Sequence, residues 1–374
     1  VPATAPIPGT PAAPGAPQSR KAPQTPEAAP APVAAKPAKP AEVVPGDGTP
    51  KAAIITLGDG KNDMDMVGVY MTKHALDKML PMLEEQLGKD RTGVVVFRVS
   101  SGGGYLYEIQ RMVDVIHKEY KPRFRVVGWI ESAISAAAMT SHILEEIYFT
   151  PQGNYGACTG FTTLANAVEG FDLEKVLGQM EQISALSGKN PLIMKAMQVQ
   201  VGLSASIDEN GDVRWFEDDK AGDIKVNDKK NILTFNERTA REVKFSKGTA
   251  STLDELQTLM GYQELEWVGE KVKNVPWPVS KAEKWNVAYR KQVKDDQDNL
   301  GRYRAEYNMQ LAAAEGTERA ERGKFVNRAR DTLNKMVNMV RNSPNIALFN
   351  FNMDAPQFKR WTEEQDKLLR DLMR

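Results

Sequence analysis

The chain has 374 residues, enough for one large domain or two, and carries 49 basic and 49 acidic side chains, so its formal net charge is zero. This balance argues against nucleic acid or an acidic membrane surface as the main partner. The single cysteine, Cys158, excludes an intramolecular disulfide and a cysteine-based metal cluster, and we expect neither a metal nor a cofactor.

The N-terminal residues 1–49 are rich in proline and alanine and hold few large apolar side chains. Such a segment cannot bury enough surface to offset the entropy of ordering, so we predict a disordered tether. Its first residues, Val-Pro-Ala-Thr-Ala-Pro, resemble what remains after signal-peptide removal, although a trimmed end explains them equally well. We therefore expect an extracytoplasmic protein, periplasmic or secreted, with association to the cell envelope as a further expectation. No run of 18 uncharged apolar residues predicts a membrane span.

A regular alternation of strands and helices follows. Apolar runs predict strands at 51–57, 94–99 and 124–129, and amphipathic spacing predicts helices through Leu76–Leu87, near 105–118 and near 135–146. This βαβ rhythm favours a parallel sheet with right-handed crossovers. We predict that residues 50–275 form one α/β domain.

Two turns in this alternation carry the residues that could do chemistry. Ser135 lies where a strand gives way to a run of small helical residues, so its hydroxyl could be accessible beside the free N–H groups of a helix start. An ordinary helix N-cap explains the same serine. The earlier turn, Ser-Ser-Gly-Gly-Gly at 100–104, allows close backbone approach, and an N–H of this loop could form an oxyanion hole with the N–H of Ala136. A plain βα loop is the alternative.

The order of these motifs resembles the ClpP/crotonase fold, and more narrowly the NfeD-type membrane-associated Ser-Lys proteases and signal peptide peptidase A. Ser-Ser-Gly-Gly, Ile-Ser-Ala-Ala-Ala and a downstream segment at 231–240 and 248–256 carry the resemblance, which covers residues 50–275. The sequence departs from the family motifs at Ser101, where the family has proline, and at Ala137, where it has glycine. These departures leave a degenerate, non-catalytic relative as an alternative.

The resemblance implies Ser135 as nucleophile, Gly103 and Ala136 as oxyanion donors, and a lysine as general base about forty residues after the serine. Lys175 lies at that distance, whereas alignment from the far end of its helix gives Phe171. Lys189 and Lys195 are further candidates.

A Ser-His-Asp triad fits poorly. Of the three histidines, only His142 follows the serine, and seven helical residues separate them by about 10 Å.

Beyond Pro276-Trp277-Pro278 the sequence is charged and helical in spacing, and we predict that residues 276–374 form an α-helical extension. Apolar residues such as Leu333 and Met336 should be covered by the protein's own core or by another subunit. The last helix is predicted from about Thr362 to Met373, with Thr362 as its cap.

The sequence therefore favours an ATP-independent serine endopeptidase with a Ser-Lys dyad, acting on peptide or protein substrates as a homo-oligomer. The alternative is a catalytically degenerate ClpP-like protein that serves as an oligomeric binding scaffold. A crotonase-type acyl-CoA enzyme comes third, because no sequence feature supports a CoA pocket.

Overall fold

The computed structural model describes residues 48–160 and 170–374, without the side chain of Phe171. The predicted tether, residues 1–49, lies almost entirely outside the described residues. The side chain of Phe171 is not described either. The described chain forms two compact units, one ending at Asp298 and the other comprising Asn299–Arg374. The predicted domain boundary at residue 275 stays a prediction. No described helix is both long and apolar enough to cross a membrane.

The first unit alternates strands and helices as its apolar periodicity requires. Its strands are β1 (Lys51–Leu57), β2 (Val94–Ser101), β3 (Arg125–Ile134), β4 (Glu146–Gly156), β5 (Leu203–Ile207), β6 (Val213–Phe216), β7 (Ile224–Asn227), β8 (Thr234–Asn236), β9 (Gly248–Thr249) and β10 (Glu266–Trp267). Its helices are α1 (Lys73–Leu87), α2 (Leu106–Val115), α3 (Ala136–Ser141), α4 (Gly170–Leu186), α5 (Pro191–Gln198), α6 (Glu237–Glu242) and α7 (Leu253–Leu259), and α8 (Lys281–Glu315) leads into the second unit.

The main sheet has the strand order β10-β1-β2-β3-β4-β8, and β9 also pairs with β4. All of its pairings are parallel except that of β4 with β8. The inner strands are buried on both faces, which explains the continuous apolar run Val94–Phe97. The predicted α/β fold, built on a parallel sheet, is confirmed.

Two register shifts bend the ends of the central strands. One lies between Val99 and Ser100, the other between Ile130 and Ser132. Both ladders leave out Glu131, so β3 carries a bulge four residues before Ser135. Helix α3 is shorter than predicted: it ends at Ser141, because β4 already begins at Glu146.

A second, smaller sheet has the order β6-β5-β7. A hairpin turn at Asp208–Asp212 joins β5 to β6, and the amide of Gly211 donates to the carbonyl of Asp208 there. Its third strand, β7, was not predicted from the sequence.

The first turns of α8 cover the free edge of β1 at Thr56. Glu283 accepts hydrogen bonds from the backbone N–H of Thr56, at 2.9 Å, and from its hydroxyl. Asn286 and Arg290 donate to the Thr56 carbonyl at 2.8 and 2.7 Å. Glu283 and Arg290 are both buried. The edge groups of this strand are therefore satisfied by side chains rather than left open to another strand.

The second unit contains the end of α8 with α9 (Arg319–Asn342), α10 (Asn345–Phe351) and α11 (Ala355–Asp371). Leu333 and Met336 pack in its own core, so another subunit is not needed to cover them. The predicted cap Thr362 is wrong: α11 begins seven residues earlier with a capping box of Asp354 and Gln357, and Thr362 bonds within the helix to the carbonyl of Phe358.

Candidate active site

Ser135 lies between β3 and α3 in an unusual backbone conformation. Its φ is 56° and its ψ is −126°, a region that side-chain-bearing residues rarely adopt and that costs about 1–3 kcal/mol. The side chain does not cap the helix and is only partly buried. The ordinary N-cap explanation of this serine therefore fails, because an N-cap is extended and accepts a bond from the helix backbone.

Hydrogen bonds hold the backbone of Ser135 in this conformation. Its N–H donates to the carbonyl of Gly156 at 2.9 Å, and its carbonyl accepts from the N–H of Met139 at 3.0 Å. The buried thiol of Cys158 lies 3.6 Å from the same carbonyl. Burial raises the pKa of this thiol, so Cys158 packs as an uncharged apolar residue and not as a nucleophile.

The glycine loop after β2 lies against Ser135. A Cβ added to Gly103 would come within 2.6 Å of the Ser135 Cβ and 3.1 Å of its Oγ, and the φ of Gly103 is 114°. Only glycine fits this position, for reasons of both space and backbone conformation. The structure thus brings together Ser135 and Gly103, which the sequence separates by 32 residues.

The N–H groups of this loop already have partners. Gly103 donates to the hydroxyl of Ser101 at 3.1 Å, and Gly102 donates to Oδ2 of Asp65 at 2.7 Å. The Ser101 hydroxyl in turn donates to the carbonyl of Asp65. Before Gly103 can bind an oxyanion, its N–H must leave Ser101. Ala136 is fully buried at the first position of α3, where helix N–H groups lack intrahelical acceptors.

Asp65 was not singled out from the sequence. It lies in the loop between β1 and α1, 37 residues from Gly102, and a carboxylate in a polar loop has no pattern that predicts such a contact.

Lys175, the predicted base, lies on the surface of α4. Its side chain is 61% exposed, and its amine is 3.6 Å from the carboxylate of Asp172. Lys195 pairs with Glu217 at 2.6 Å. Neither amine is hydrogen-bonded to the Ser135 hydroxyl.

Among the described lysines, Lys189 has the most strongly shifted pKa. Burial lowers the pKa of its amine to about 7, with the nearby Lys121 acting in the same direction. The amine donates to the carbonyls of His142 and Leu144, just beyond the C-terminal end of α3. Ser135 is at the other end of this six-residue helix, about 9 Å away at 1.5 Å per residue. Lys189 therefore caps α3 and does not reach the serine.

The side chain of His142 is fully buried. Its Nε2 lies 3.1 Å from the Ser184 hydroxyl, its ring stacks on Phe245, and burial holds its pKa well below the ordinary value. It is a neutral structural residue. The nine residues 161–169, outside the description, contain neither lysine nor histidine. Among the described residues, no cluster of three or more histidine, cysteine, aspartate or glutamate side chains could hold a metal ion.

Comparison with known proteins gave matches among solved structures. A lysine-to-alanine mutant of the 1510-N membrane-bound stomatin-specific protease, in complex with a substrate peptide, has 12% identity and a TM-score of 0.42, covering 60% of this chain and 95% of that one. A ClpP1 mutant from Listeria monocytogenes has 15% identity and a TM-score of 0.30, covering 55% and 94%. A putative enoyl-CoA hydratase/isomerase from Mycobacterium abscessus has 13% identity and a TM-score of 0.28, covering 76% and 86%.

These likenesses concern the fold alone. No protein-family model matches the chain. No curated protein matches it either.

Proposed function

We propose that this protein is a serine hydrolase that cleaves peptides, with Ser135 as its nucleophile. The observation that carries the proposal is the strained conformation of Ser135 at a strand-to-helix turn, φ 56° and ψ −126°. Strain at a residue that carries a side chain persists only where the surroundings impose it, and it is concentrated at functional sites. The same arrangement presents the nucleophilic hydroxyl in hydrolases with a sharp strand–serine–helix turn.

The surroundings suit acyl transfer. The N–H of Ala136 lies at the first position of α3 and is the first oxyanion donor of this proposal, and the N–H of Gly103 becomes the second once it leaves the Ser101 hydroxyl. Oγ of Ser135 attacks the scissile carbonyl carbon as its proton passes to the base, and collapse of the oxyanion expels the amine, which takes that proton. Water then hydrolyses the acyl-enzyme by the same route.

The base that we assign is Lys175. Its amine must leave Asp172 and turn to Ser135, so the dyad forms only in a substrate-bound or assembled state. Catalytic hydrogen bonds often tighten only when substrate binds. We also propose that the protein self-associates. Leu333 and Met336 pack in the core of their own unit, so the interface uses other residues.

A fluorophosphonate probe tests the nucleophile directly. We expect labelling of the unmodified protein and of Ser132→Ala, and none of Ser135→Ala. Ser132 is the matched control because it lies three residues away on β3, partly exposed, with its hydroxyl donating to Oδ1 of Asn154 at 2.9 Å. Lys175→Ala should label at least about 100-fold more slowly, the usual contribution of a general base.

A second function has its own supporting observation. The loop N–H groups of Gly102 and Gly103 are occupied by the chain's own Asp65 and Ser101, and no candidate base is bonded to Ser135. These features favour a non-catalytic peptide-binding scaffold. A protein that is folded but unlabelled by the probe would reject the hydrolase and support this scaffold.

A further inference from the structure

The glycine loop after β2 is held on either side of one peptide unit, the unit that joins Gly102 to Gly103. On one side, the N–H of Gly102 donates to Oδ2 of Asp65 at 2.7 Å. On the other side, the carbonyl of Gly103 accepts from the N–H of Val67 at 2.8 Å. Both partners belong to the loop between β1 and α1. The two flanking peptide units are therefore fixed, and the unit between them carries the N–H of Gly103.

The N–H of this middle unit donates to the hydroxyl of Ser101 at 3.1 Å. The Ser101 hydroxyl has a single proton, which it donates to the carbonyl of Asp65, so its oxygen faces Gly103 as an acceptor. Ser101 is only 1% exposed, so water has little access to either bond. A donor that an oxyanion would need is thus occupied by the chain itself.

The middle unit can turn while its neighbours stay fixed. Turning a peptide unit changes ψ of the residue before it and φ of the residue after it, and here both residues are glycines, which adopt either sign of φ at little cost. The φ of Gly103 is 114° while its N–H is bonded to Ser101. A Cβ added to Gly103 would lie 3.1 Å from Oγ of Ser135, so the unit turns directly beside this hydroxyl.

We propose that Ser101 restrains this donor in the resting protein, and that rotation of the Gly102–Gly103 unit transfers the N–H to the oxyanion of the substrate. A neutral carbonyl offers no better acceptor than the hydroxyl that it would replace, whereas a charged oxyanion forms a hydrogen bond about twice as strong. The donor therefore moves as charge develops, which favours the transition state over the bound substrate. Ser101 is a positioning residue that acts through Gly103. The inference rests on the proposed function, because it concerns the regulation of that site.

The rate of fluorophosphonate labelling tests the restraint in solution. Ser101→Ala removes the acceptor and should be labelled about 2- to 10-fold faster than the unmodified protein, the change in population that one hydrogen bond supplies. A substitution that only disturbed the packing would slow labelling instead. The matched control is Ser100→Ala, at the preceding serine of β2, whose hydroxyl lies towards Gly60: a Cβ there would be 3.4 Å from its oxygen. Its labelling rate should equal that of the unmodified protein.

Amide hydrogen exchange measures the same restraint without the probe. The sequence has two Gly-Gly bonds, Gly102–Gly103 and Gly103–Gly104, so glycine enriched in both carbonyl ¹³C and ¹⁵N gives two carbonyl-coupled amide signals. In full-length Ser135→Ala protein, adding Ser101→Ala should raise the exchange rate of the Gly103 amide by about the same 2- to 10-fold, because exchange proceeds from the released state. The Gly104 amide is the internal reference and should keep its rate.

These two measurements separate the restraint from the hydrolase. Where the unmodified protein is labelled, equal or slower labelling of Ser101→Ala would overturn the restraint and leave the hydrolase intact. An unchanged exchange rate of the Gly103 amide would overturn the restraint as well. If the probe labels none of the proteins but the Gly103 amide exchanges faster in the Ser101→Ala variant, the hydrolase is rejected and the restraint on the loop is supported.

Discussion

Replacing Gly103 by alanine tests the contact on which the candidate site depends. The new Cβ would lie 2.6 Å from the Ser135 Cβ and 3.0 Å from the carbonyl oxygen of Ile134, so one of the two loops must move. Overpacking of this kind costs about 1–3 kcal/mol. The φ of 114° adds about 1–3 kcal/mol, because alanine rarely adopts it. We expect Gly103→Ala to lower the free energy of unfolding by about 2–6 kcal/mol, the sum of the two costs, and to abolish fluorophosphonate labelling.

The matched control is Gly102→Ala, one residue earlier in the same loop. A Cβ there meets only the Asp65 carboxylate, at an ordinary 3.6 Å, and no positive φ is involved. Its cost should stay below about 1 kcal/mol, as for most unstrained surface changes. Urea titrations give the free energy of unfolding of both variants. The readout is the hydrogen-exchange protection of the amides in β2 and β3, because these strands lie in the unit that contains both glycines. If Gly103→Ala were no more costly than Gly102→Ala, the close approach of the loop to Ser135 would be refuted.

Two further outcomes concern buried charges. The pKa of Lys189 is about 7 when folded and near 10.5 when unfolded, so the unfolded chain binds more protons between these values and stability rises with pH across that window. Denaturant titrations of the unmodified protein and of Lys189→Met at pH 7 and pH 10 test this. The free energy of unfolding of the unmodified protein, relative to that of the variant, should rise by about 1–4 kcal/mol over this range. A difference that does not change with pH would contradict the buried amine. Glu283→Ala should lower the free energy of unfolding by about 3–5 kcal/mol, because it leaves Arg290 buried without its carboxylate. The control is Glu85→Ala, which breaks an ion pair whose two side chains are each 62% exposed and should cost under about 1 kcal/mol. Similar losses for the two glutamates would reject the buried network.

The scaffold and the hydrolase differ in two local events. Both functions use the same fold, and both allow a peptide to bind. Only the hydrolase needs the Gly103 N–H to give up its hydrogen bond to the Ser101 hydroxyl and donate to an oxyanion instead, and only the hydrolase needs a lysine to reach Ser135. The strain at Ser135 is present before either happens, which is why probe labelling separates the two.

The sequence alone determined the alternation of strands and helices and the position of the two turns. Residues 94–97 form a buried parallel strand because four consecutive large apolar side chains need cover on both faces. Ser135 and the loop 100–104 follow neighbouring strands of one sheet, so their meeting at the same edge was predictable. These conclusions use only the period of the pattern and the chirality of βαβ connections, which are local properties.

The tertiary structure alone decided which side chains face each other. Spacing put Lys175 ahead of Lys189 and Lys195 as the base. In the structure Lys175 pairs with Asp172 on the surface, Lys189 caps α3 with a lowered pKa, and Lys195 pairs with Glu217. Helical period places a side chain on a face, but burial, charge and hydrogen-bond partners depend on segments tens of residues away. Whether a lysine is a base or a cap is therefore a property of the packed molecule.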